Sequence, residues 1–201
     1  MTLSVHPFGE RMQWKKFIVK SGVYVAASVV TAAVTGFLLT ALFSLLTGWI
    51  TSAVKEIGFF IIVAAYFFKE IGLLPLPTLQ RKWQIPSAWV NASPVKSMGI
   101  WGAILGAGIF TYNPYAIFFL KYMYAGIFHS VAAGLLAGLL FGSSRALTSI
   151  VLAYISSKQR ENTASVVTVI WDKRTLFHRL HLGALLVLIL FTCFLIITAG
   201  A

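Results

Sequence analysis

The sequence predicts an all-α fold: a polytopic membrane bundle of five transmembrane helices, with six as the alternative. Three observations carry that expectation. Of 201 residues, 59% are hydrophobic and only 10% are charged, against about 25% charged in a soluble domain. The uncharged stretches are long enough to cross the roughly 30 Å of hydrocarbon in a bilayer. The sixteen Lys and Arg, set against five Asp and Glu, gather in clusters between those stretches. A water-soluble globule, a disordered chain and a disulfide scaffold are excluded.

Residues 1–20 read as a basic cytoplasmic tail and 21–201 as one transmembrane domain. Arg11, Lys15, Lys16 and Lys20 precede an uncharged run from Ser21 to Val54. That run exceeds the apolar core of a signal peptide, about 7–15 residues, so the segment is expected to stay as an anchor. Its first span is expected over about Val23 to Leu46, with a turn at Gly48-Trp49. Ile57–Phe68 is short between two charged pairs, and it reaches spanning length only if it starts near Ile50. Met98–Leu120 reads as the third span, Tyr122–Ser144 as the fourth and Leu182–Ala199 as the fifth. Ala146–Ser157 extends the fourth helix, lies at the interface or forms a sixth span.

Charge placement favours five. With the N-terminus inside, segments 1–20, 69–97 and 145–180 hold fourteen of the sixteen basic residues, as expected of cytoplasmic loops. Only Lys55 and Lys121 fall outside them. The expected location is therefore the cell (inner) membrane, multi-pass, with a cytoplasmic N-terminus. Pro75, Pro77, Pro86 and Pro94 prevent a continuous helix in loop 69–97. Trp83 and Trp89 beside Arg81 and Lys82 suit the headgroup level.

Glycines recur at helical spacing in two spans: Gly99, Gly102 and Gly106, then Gly134, Gly138 and Gly142. Glycine lets helices in lipid approach closely, so these faces are expected to pack on each other or on a second copy of the chain. Cys193, the one cysteine, reads as a small buried hydrophobe. No P-loop, HExxH or Ser/His/Asp signature is present, five acids leave almost no paired carboxylates, and no cofactor, metal or enzymatic activity is expected. His178 and His181 share a helix face at the start of the last span and read as interfacial basic residues. Nucleic-acid binding is not expected, because the bilayer already accounts for the basic loops.

The sharpest feature is Thr111-Tyr112-Asn113-Pro114-Tyr115 in the third span. Pro114 lacks an amide hydrogen and frees the Phe110 carbonyl, making a polar break at membrane depth. Such a break is tolerated only where protein or a water-filled cavity surrounds it, and discontinuous helices of this kind form substrate sites in transporters. Thr111, Asn113 and Pro114, with His129 on the facing helix, are the candidate substrate-binding residues.

The run Ile104-Leu-Gly-Ala-Gly-Ile-Phe-Thr-Tyr-Asn-Pro-Tyr and the later Gly142-Ser-Ser-Arg145-Ala-Leu resemble segments of the cytochrome-c-biogenesis thiol–disulfide transporters, over roughly residues 98–150. The resemblance implies a small transporter-like helical bundle. That family moves reducing equivalents with membrane cysteines adjoining prolines, whereas here Asn113 precedes Pro114 and no cysteine is near, so no catalytic residue is carried over. The expected function is a small inner-membrane transporter-like protein. The alternative is a non-enzymatic membrane subunit or assembly factor that docks partners through loops 69–97 and 158–180.

Overall fold

Proline-free and apolar from Ser21 onward, the first helix runs unbroken from Trp14 to Thr47 (α1), 34 residues and about 51 Å. The computed structural model describes residues 14–76, 93–109, 115–158 and 173–199. Among them, α1 is followed by α2 (Ser52–Glu70), α3 (Pro94–Ala107), α4 (Ile117–Phe128), α5 (Val131–Lys158) and α6 (Arg174–Ala199). Three helices, Trp14–Thr47, Val131–Tyr154 and Arg174–Thr198, are long and apolar enough to cross a membrane, and α4 is a shorter apolar helix. Val30, Val34, Leu38 and Leu42 recur every fourth residue of α1 and are all exposed. Such a greasy outer stripe suits lipid.

Local sequence explains the ends. α2 closes where Gly72 takes φ 83°. The Leu73 amide donates to the Phe68 carbonyl at 2.9 Å and the Gly72 amide to the Lys69 carbonyl at 3.0 Å, the Schellman pattern that needs a left-handed residue. Pro94 opens α3, where its missing amide hydrogen costs nothing. α4 ends at His129, whose extended backbone turns the chain directly into α5.

Glycine contacts set the helix directions. A Cβ at Gly102 would meet Tyr24 and Ala27, and one at Gly106 would meet Ser28 and Thr31. Further along, Tyr122 sits against Gly36, and Gly126 against Thr40 and Phe43. Hence α3 and α4 both run parallel to α1, stacked end to end along it. The order reverses in α5, where Gly134 meets Thr40, Gly138 meets Ala32 and Gly142 meets Ser28. Ser28 Oγ also donates to the Gly142 carbonyl at 3.3 Å, and Tyr24 Oη to Ser149 Oγ at 3.2 Å. A second unit pairs α2 with α6, antiparallel, and meets the rest through α4. Its core is Phe59, Val63, Ala116, Leu120, Ile127 and Leu185.

Several expectations are corrected. Met98–Leu120 is not one helix, because α3 stops at Ala107 and α4 starts at Ile117. The turn after it falls at His129-Ser130 rather than Lys121, which lies inside α4. Consequently Ala146–Ser157 is needed to complete the return helix and continues α5. The glycine faces at 102, 106, 134, 138 and 142 pack on α1 rather than on each other. Gly99 faces the Val23 side chain at an ordinary contact distance. Cys193 is exposed on α6 rather than buried.

Candidate functional site

The interruption between α3 and α4 lies beside Thr31–Gly36, the middle of α1. Gly108 begins it, at φ 69°. A side chain there is both conformationally strained and blocked, because a Cβ would press on the Phe118 ring and lie 3.2 Å from Phe141. Two aromatic rings therefore close against the chain at the point where the helix stops. The carbonyl end of α3 and the amide end of α4 face each other across the interruption, with opposite partial charges. The first turn of α4 is largely self-satisfied: the Phe118 amide donates to the Tyr115 carbonyl, and those of Phe119 and Leu120 to the Ala116 carbonyl.

Two polar clusters flank it. On one side Tyr115, the first described residue after the break, lays its ring 4.7 Å from that of His181. His181 Nε2 stands 3.9 Å from Glu70 Oε1, and His178 Nδ1 stands 3.7 Å from Glu70 Oε2. The His181 side chain is 3% exposed and neither ring nitrogen has a hydrogen-bond partner. At 3.9 Å it is near enough to pair with the carboxylate when protonated, and too far for a hydrogen bond. The three side chains are not disposed as a metal-ligand set.

On the other side is Lys121. Its Nζ lies 4.3 Å from the Phe141 ring centroid, 4.6 Å from Tyr122 and 5.2 Å from Phe118. Arg145, one helical turn beyond Phe141, places its guanidinium carbon 5.7 Å from the same Phe141 centroid. Side chains on a helix lean toward its N-terminus. That lean carries Lys121 toward the break and Arg145 toward Phe141. The buried Tyr122 hydroxyl also lacks a partner.

Of the residues read from the sequence, Thr111, Asn113 and Pro114 lie outside the described residues. The helix ends that bracket them, at 107 and 117, stand at mid-height of α1. His129 is not brought to the break. It is exposed at the far end of α4, about 18 Å along a 12-residue helix, with its ring 5.2 Å from Tyr124. Arg81, Lys82, Trp83, Trp89 and Trp171 of the basic loops also lie outside the described residues, while Lys173 and Arg174 are exposed at the start of α6. The sequence reading missed Glu70 and Lys121, named Tyr115 only as part of its motif, and counted Arg145 with a cytoplasmic segment. A charge that interrupts an apolar run was the available signal in each ionised case, and it was read as a boundary. Comparison with protein-family models, with curated proteins and with solved structures finds no match.

Proposed function

We propose that the chain is a small inner-membrane transporter-like protein, and that the break between α3 and α4 is where a solute binds during passage. The observation that carries this reading is the pair of short helices laid end to end along the middle of α1. A continuous helix satisfies its own backbone, whereas a break in hydrocarbon exposes amides and carbonyls that cost several kcal/mol each unless protein, water or a solute meets them. Discontinuous helices at mid-depth are the recurrent way transporters present such groups to a substrate. Ionisable residues beside the break strengthen the reading, since charge at membrane depth is costly and marks solute or proton pathways.

The same reading takes α1, α2, α3 with α4, α5 and α6 as five crossings. The N-terminus then lies in the cytoplasm and the far end of α6 outside. The basic residues at 11–20, 69–96 and 158–179 fall on one side, as the positive-inside rule asks. Lys55 sits at the opposite end, and Lys121 and Arg145 lie within the bundle.

The test replaces Thr111 by Val and Asn113 by Leu, singly and together, in the full chain reconstituted in liposomes. Flux of a panel of labelled ions, organic acids and sugars is then measured. At unchanged protein level, flux of the carried solute is expected to fall at least tenfold. Flux that is unchanged in the double variant removes the break from the transport path.

A further inference from the structure

We propose that the break binds the anionic group of its solute, a carboxylate or a phosphate, between Lys121 and Arg145. This names the substrate class of the site above, and its transport consequence rests on that reading.

Lys121 and Arg145 both address the Phe141 ring, at 4.3 and 5.7 Å, so their charged groups stand no more than about 10 Å apart. An anion bridging two cationic donors, at about 2.8 Å to each, needs them roughly 8 Å apart or less. That bound exceeds the span by about 2 Å, a gap that the long, rotatable Lys and Arg side chains close when both turn toward one carboxylate or phosphate group. Phe141 also abuts Gly108, where α3 stops, so the two cations lie at the break itself.

Of the five acids, Glu10, Glu161 and Asp172 lie outside the described residues. Glu70 faces the imidazoles of His178 and His181, and Glu56 sits in the first turn of α2, at the opposite end of that helix from Glu70. Among the described residues neither Lys121 nor Arg145 has a carboxylate partner. Ring faces attract the cations, but unlike a carboxylate or phosphate they offer an ammonium or guanidinium group no acceptor oxygen. Two like charges held beside one ring at membrane depth also repel. An anion relieves the repulsion and supplies the acceptors at once.

The experiment uses the full chain in phosphatidylcholine vesicles, with inorganic phosphate and succinate as probes and choline and glucose as controls. Binding is measured by calorimetric titration and by the shift in unfolding temperature, since a ligand of the folded state raises it. Phosphate or succinate is expected to bind, and Lys121→Met or Arg145→Met to weaken binding roughly 10–100-fold, the size of one charge-assisted hydrogen bond. Lys121→Arg keeps the charge and is expected to stay within a few-fold. Doping the vesicles with phosphatidylglycerol tests the other source of the same chemistry. Stabilisation by that lipid alone, lost in Lys121→Met, supports the anion site and assigns it to a headgroup. If the Met variants do not fold, the wild type decides, and stabilisation by neither anion nor phosphatidylglycerol overturns the proposal.

Anion binding that is indifferent to both substitutions overturns it as well. Flux arms separate it from the transport reading. Choline or glucose flux that depends on Asn113 but not on Lys121 or Arg145 sinks the anion site and keeps transport. Anion binding with no flux of any probe keeps the site and sinks transport.

Discussion

A carboxylate that ends α2 and two imidazoles that begin α6 tie those helices together at the level of the break. Glu70 is 13% exposed and His181 3%, so a charge on the imidazole would be little screened from the carboxylate. Reversible unfolding in mixed micelles of Glu70→Gln, His181→Gln and the double variant measures the link as a coupling energy. We expect about 0.5–2 kcal/mol, the range found for polar pairs between membrane helices. Additive single effects would mean that the two side chains do not interact. The i, i+3 spacing of His178 and His181 was legible in the sequence because it follows from helix geometry alone. Their acid partner was not, because Glu70 lies more than a hundred residues away. Lys121 was misread for a related reason. An isolated charge marks the end of an apolar run, yet three aromatic rings can hold an ammonium inside one.

At the scale of the helix, small residues decide how close backbones come. A Cβ at Gly138 would overlap the Ala32 carbonyl, whereas one at Gly183 on α6 would meet nothing. The same substitution should therefore have opposite signs. Gly138→Ala is expected to cost about 1–3 kcal/mol by forcing α5 off α1. Gly183→Ala is expected to be neutral or to stabilise by up to about 1 kcal/mol through helix propensity. Unfolding titrations check both, and equal effects would mean that α5 does not pack as described. The glycine periodicity announced close approach but not the partner, because a stripe of small residues is compatible with any helix of matching shape. Likewise Pro114 pointed to an interrupted third helix. The width of the interruption, from Gly108 to Ala116, depends on a left-handed glycine packed against Phe118 and Phe141, contacts that chain order does not reveal.

For the molecule as a whole, composition fixed the class and left the thread to the structure. The apolar runs gave α1 and most of α6 almost directly. Of the three readings open for Ala146–Ser157, the structure takes the extension of the return helix. Once the turn moves to His129-Ser130, the chain needs those residues to return along α1. The result is a bundle whose longest helix carries two short helices on one side and an exposed apolar stripe on another.

The central claim is that water reaches the break, and thiol labelling tests it without knowledge of the solute. In a Cys193→Ser background, Ile109→Cys and Asn113→Cys probe the break. Val34→Cys probes the exposed face of α1 near the same height, and Trp49→Cys the exposed turn after α1. A membrane-impermeant maleimide needs a hydrated, ionisable thiol. Labelling at 109 and 113 is expected within about tenfold of the rate at 49, with 34 unreactive. Positions 109 and 113 as inert as 34 would contradict a hydrated break and the transport reading with it.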